Sequence, residues 1–152
     1  MRENDPVIDL YTIGFTGTSA ANFFGRLRRA KIERLIDVRL NNVSQLAGFA
    51  KKNDLAFFLR EICDADYVHE LLLAPRDEDL KAVRAGKLSW DEYETRYAAL
   101  LRERGVESTL DRSLFDRRCV LLCSEAKPAQ CHRRIAAEYL KDAWGDVAIT
   151  HL

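Results

Sequence analysis

The 152-residue chain has no charge surplus, because 24 lysines and arginines balance 24 aspartates and glutamates. Binding nucleic acid or an anionic membrane through bulk charge needs an excess of cations, so both classes are disfavoured, and only a local basic patch stays possible. No run of 18 apolar residues occurs, so no membrane-spanning helix and no membrane partner are expected. The opening Met1-Arg2-Glu3-Asn4-Asp5-Pro6 is charged and has no apolar stretch behind it. No secretory signal is read there, and a cytoplasmic location is expected.

Cysteine is scarce: Cys63, Cys119, Cys123 and Cys131 are the four. No CxxC pair exists, which excludes a zinc ribbon and a thioredoxin-type motif. A reducing compartment gives no reason to expect a disulfide. Cys119 and Cys123 share one expected strand and would stand about 13 Å apart, too far to bridge. Internal repeats and low-complexity tracts are missing as well. The segment Gly14 to Ser19, GFTGTS, has no lysine in the place a phosphate loop requires, and it is not G-x-G-x-x-G. A cysteine-phosphatase loop fails too, since the sixth residue after Cys123 is Ala129 and not arginine.

What is present is ordinary globular composition, 47% hydrophobic and 32% charged. The length fits a single domain over 1–152 that buries about 68–70% of its unfolded surface. Strand and helix patterns alternate along it. Ile8 to Ile13 is a short strand ending at Gly14, and Thr18-Ser19 offers an N-cap for a helix to about Ala30. Arg34 to Val38 is a second strand, Asn53 is expected to cap a helix, and Asp66 to His69 is a third strand. A helical insertion follows. A short helix begins at Pro75 and Asp77, and a capping box, Ser89-Trp90-Asp91-Glu92, opens a helix that closes at Gly105. A further helix is expected over Val106 to Phe115. Cys119 to Cys123, CVLLC, is a continuous apolar run, as in a strand buried on both faces. A helix from about Ala129 to Trp144 and a strand from Asp146 to Thr150 complete the chain. The expected fold is α/β, with a mostly parallel sheet of about five strands and helices on both faces.

Such sheets bind ligands beyond the carboxyl ends of their strands. Polar residues collect at those ends here. Gly14 and Thr16 follow strand one, in a small-residue turn before a helix N-terminus that can hold an anion. Asp37 and Arg39 end strand two on a shared face. Either they form an ion pair that fixes the loop, or Arg39 faces an anionic substrate with Asp37 orienting it. His69 ends strand three. Glu125 follows the most buried strand, where desolvation would raise its pKa toward that of a general acid or base. Cys131-His132-Arg133 opens the last long helix. A thiol at a helix N-terminus beside a histidine is a candidate nucleophile, and the alternative is that Cys131 packs and His132 caps the loop. The candidate catalytic residues are therefore Glu125, His132, Cys131 and Asp37, and the candidate ligand-binding residues are Gly14, Thr16, Arg39, His69 and Arg133. Cys123, Cys131, His69, His132 and His151 could in principle hold zinc, but their spacing matches no standard site, so no metal is expected. No cofactor can be named.

These motifs resemble the domain-of-unknown-function family numbered 488. The matching segments are Thr12-Ile13-Gly14-Phe15-Thr16, Ile36-Asp37-Val38-Arg39, Ser44, Tyr67-Val68-His69, Leu121-Leu122-Cys123-Ser124-Glu125, Cys131-His132-Arg133 and His151-Leu152. Phe15 departs from the pattern, in which a small polar residue or histidine is common. The resemblance implies an α/β domain with a polar site built from these segments, and it supplies no substrate. From the residue chemistry, the expected function is that of an enzyme or ligand-binding protein acting on a phosphate-bearing substrate, a nucleotide or nucleic acid. The alternatives are a non-catalytic module that binds an anion or nucleic acid, and a structural ion-pair network.

Overall fold

The structure is a computed structural model that describes residues 7–41, 48–124 and 131–152. Five strands form one sheet: β1 (Ile8–Gly14), β2 (Arg34–Asp37), β3 (Asp66–His69), β4 (Cys119–Cys123) and β5 (Val147–His151). Their order is β3-β2-β4-β1-β5 and every pairing is parallel, so the expected α/β fold is observed. The helices are α1 (Ala20–Arg29), α2 (Lys52–Phe58), α3 (Asp77–Arg84), α4 (Trp90–Arg104), α5 (Val106–Thr109) and α6 (His132–Trp144).

The two helix starts marked by serine are capped as the sequence indicates. Ser19 Oγ accepts from Asn22 N at 3.1 Å, and Ser89 Oγ accepts from Glu92 N at 3.1 Å. These bonds satisfy donors that a first turn otherwise leaves open. Gly105 ends α4 with φ +59, a left-handed conformation that glycine adopts without a Cβ penalty. Two expectations are corrected. Asn53 lies inside α2; Lys51 is the cap residue and makes no side-chain cap bond. The helix expected over Val106 to Phe115 is broken at Leu110, whose backbone is extended, into α5 and a 3-10 turn over Arg112–Phe115.

Two apolar layers cover the sheet. On one face α1 and α2 contribute Phe23, Phe24, Leu27 and Leu55. On the other, α4 and α6 contribute Tyr97, Leu101, Ile135, Ala136 and Leu140. Strand β4 divides its residues between them: Cys119, Leu121 and Cys123 face the α4/α6 layer, while Val120 and Leu122 face the α1/α2 layer. This alternation follows from the period of two along a strand, and it explains the unbroken apolar run.

The connections fix where a ligand can enter. The links leaving β1 and β2 run toward the β3 edge and carry α1 and α2 on one face. The link leaving β4 crosses β1 to reach β5 and carries α6 on the opposite face. Right-handed crossovers in opposite directions place their helices on opposite faces. The chain therefore parts at the carboxyl end of β4, the switch point at which open α/β sheets form their crevice.

Candidate functional site at the carboxyl edge of the sheet

Backbone pairing sets the edge. Gly14 lies in register with Cys123, and Asp37 lies between Leu122 and His69. Phe15 N and Thr16 N donate to Ser124 O at 3.2 and 2.9 Å, tying the turn after β1 to the end of β4. Gly17 at φ +73 lets that turn reverse, and Thr16 is left exposed at its tip.

Asp37 is fully buried and accepts four hydrogen bonds. Arg39 N and Nε donate to its Oδ1 at 3.1 and 2.9 Å, and Arg39 Nη2 and Tyr67 Oη donate to its Oδ2 at 2.8 and 2.6 Å. Arg39 Nη2 also donates to Ala50 O at 2.7 Å. The guanidinium stacks over the Phe15 ring, 5.2 Å from its centroid. The unusual Phe15 is thus the buried floor of an ion pair. Of the two readings of Asp37 and Arg39, the ion pair is the arrangement observed. Tyr67 belongs to the same network. Its position two residues before His69, on one face of β3, was the available signal for it.

Three histidines stand near this edge. His69 Nε2 donates to Arg39 O at 2.7 Å and so joins β3 to the loop after β2. His132, the first residue of α6, bonds through Nε2 to Val38 O at 2.9 Å. A carbonyl only accepts, so Nε2 carries the proton and Nδ1 carries the lone pair. The ring meets Tyr97 edge-to-face at 5.3 Å. Burial pulls the His132 pKa down to about 4. The Val38 bond opposes that shift, Arg133 adds to it, and the Asp37 carboxylate opposes it. The imidazole is consequently neutral at pH 7, with its lone pair at Nδ1. His151 ends β5, with Nδ1 2.6 Å from Thr12 Oγ1. Its pKa is lowered by burial and then by the Arg133 charge.

Arg133 is the largest fully buried side chain, and its Nη1 lies 3.5 Å from Cys123 Sγ. Arg134, one residue on, points the other way and pairs with Glu94 and Glu138, each at 3.0 Å. Cys131 is the N-cap residue of α6 and makes no side-chain cap bond.

The sulfurs of Cys123 and Cys131 are brought into contact, a pairing not foreseen from the sequence. Cys119 and Cys123, held apart along one strand, are not bridged to each other, as expected. Cys123 ends a strand, Cys131 starts the helix after it, and the fold returns the chain to the same point eight residues later. Cys63 and Cys119 are unbridged. Burial raises both their thiol pKa values, that of Cys119 to about 12, so neither is primed as a nucleophile.

Gly14, Asp37, Arg39, His69, Cys131, His132 and Arg133 therefore gather at the carboxyl edge, with Thr16 on the turn beside them. Glu125, along with Ser44, lies outside the described residues.

The fold is that of an α/β domain with a parallel sheet, and polar and cysteine side chains cluster at the carboxyl edge around β4. Residues 19–140 match the family described as Domain of unknown function DUF488, and the chain belongs to that family. No curated protein and no solved structure matches it. No helix among the described residues is long and apolar enough to cross a membrane.

Proposed function

We propose that this protein is a small enzyme or ligand-binding protein that takes a phosphate-bearing ligand, a nucleotide or a nucleic-acid end, at the carboxyl edge around β4. The observation carrying this reading is the pair of buried guanidinium groups, Arg39 and Arg133, that flank the end of β4 at the switch point. The N-termini of α1 and α6 open at the same edge and add partial positive charge. Thr16 offers an exposed hydroxyl and His132 a neutral imidazole beside them. In this reading Arg133, buried behind the edge, contributes positive potential there without touching the ligand. Arg39, already engaged by Asp37, holds the wall of the site.

A structural ion-pair network is the second reading, and it draws on the saturation of Asp37 by Arg39 and Tyr67. A thermal-shift titration with inorganic phosphate, a nucleoside monophosphate and a short oligonucleotide separates the two. A ligand at 100 times its Kd stabilises by about 2.7 kcal/mol, which for a chain of this size raises Tm by roughly 5–10 °C. Arg133→Gln is expected to shrink that shift measured from its own baseline, and Arg134→Ala to keep it. A protein whose Tm ignores all three ligands is the network and not the binder.

A further inference from the structure

Cys123 Sγ, Cys131 Sγ and a ring nitrogen of His132 all lie within 4.8 Å of one another, and all three residues are buried. They come from two elements whose relative position the sheet fixes, the end of β4 and the start of α6. We propose that the reduced protein binds a zinc-class divalent ion here, through two thiolates and one imidazole.

The Cα atoms of Cys123 and Cys131 are 7.2 Å apart, wider than the 4.4–6.8 Å that disulfides usually span. Two thiolates on one tetrahedral zinc, at about 2.3 Å each, stand roughly 3.8 Å apart, against about 2 Å in a bridge. A shared metal therefore suits this backbone spacing better than a sulfur–sulfur bond does. The histidine has the matching tautomer. His132 gives its Nε2 proton to Val38 O, which leaves Nδ1 as the donor, and metal-binding histidines usually hold their second nitrogen in this way. Arg133 Nη1, at 3.5 Å from Cys123 Sγ, donates to that sulfur and holds it in place at the end of β4. Two sulfurs and one imidazole suit zinc and disfavour magnesium or calcium.

Binding releases the two thiol protons to solvent and changes no oxidation state. The bridged form must first be reduced by a thiol or phosphine reductant, which supplies two electrons and leaves two thiols. Three protein donors leave a fourth position for water or a substrate oxygen, as in catalytic zinc sites. Spacing along the sequence gave no hint of this, because the ligands meet across a sheet-to-helix crossover and not within a knuckle. The inference does not depend on the phosphate reading, and its test contains no anionic ligand.

The test is cobalt(II) and zinc(II) titration of the full chain, reduced with a phosphine and freed of metal. One equivalent of cobalt is expected to give thiolate charge-transfer bands in the near ultraviolet and tetrahedral bands in the visible, both abolished by zinc. Zinc should protect two of the four thiols from alkylation, mapped by mass spectrometry to Cys123 and Cys131. Loss of an outer partner typically costs 10–100-fold in affinity, so Cys131→Ser and His132→Ala should cost more than about 100-fold. Cys63→Ser should cost nothing. The bands and the protection map are read on the unaltered protein, so a variant that fails to fold does not blunt the test. The proposal is overturned if the reduced protein shows no thiolate–cobalt bands, or if zinc protects neither Cys123 nor Cys131.

Discussion

Arg39→Ala is expected to lower the unfolding free energy by about 3–5 kcal/mol, the usual cost of stranding one partner of a buried pair. Asp37 is inaccessible to solvent, and three of its four hydrogen bonds come from Arg39, two of them from the guanidinium. Removing the side chain leaves a carboxylate with only Tyr67 and the Arg39 amide, in a place water does not reach. The same change removes the bond to Ala50 O and uncovers the Phe15 ring. Asp37→Asn should cost less, because a neutral amide can still accept from the guanidinium. The double change Asp37→Leu with Arg39→Met should cost less than the two single losses added together, since it removes the stranded charge. Arg76, paired with Glu103 on the surface, is the control, and its loss is expected to cost at most about 1 kcal/mol. Urea denaturation followed by circular dichroism measures all of them. A loss below about 1 kcal/mol for Arg39→Ala would mean that water or another cation reaches Asp37.

Leu121→Ala and Leu122→Ala should each cost about 2–5 kcal/mol, in line with other large-to-small changes in packed cores. The pair matters because the two side chains point to opposite faces of the sheet. Leu121 packs among Tyr97, Leu101 and Ala136, and Leu122 packs among Phe23, Leu27 and Leu55. Neither is exposed. A sheet with one wet face would show one large and one negligible effect. Two large effects are what helices on both faces require. Total stability for a domain is about 5–15 kcal/mol, so either change takes a substantial share of it.

The difference between what could and could not be read from the sequence follows from locality. The CVLLC run announced a strand covered on both faces, and β4 is that strand. Ser19 and Ser89 announced helix starts, because a cap acts within three residues of itself. Asn53 misled because cap chemistry alone does not set a helix start, and α2 begins one residue before it. Strand ends could be listed as site candidates because a parallel sheet sends all its carboxyl ends one way. Which residues touch there could not be listed, since contact depends on strand order. Asp37 meets Tyr67 because β2 neighbours β3, and Cys123 meets Cys131 because α6 crosses back over the end of β4. The ambiguity of Arg39 had the same source. Its stacking on Phe15 and its bond to Ala50 come from segments that only the fold brings together.

The central claim is that the carboxyl edge around β4 is where this protein meets its ligand. The most direct measurement is a titration of uniformly 15N-labelled protein with inorganic phosphate and with a nucleoside monophosphate, followed through amide shifts. The account predicts saturable shifts concentrated at Gly14 to Ser19, Arg39, Ser124 and His132–Arg133, residues that come together only at the switch point. Shifts confined to Arg28, Lys31 and Arg117, the cations at the opposite edge of the sheet, or no saturable shift at all, would contradict it.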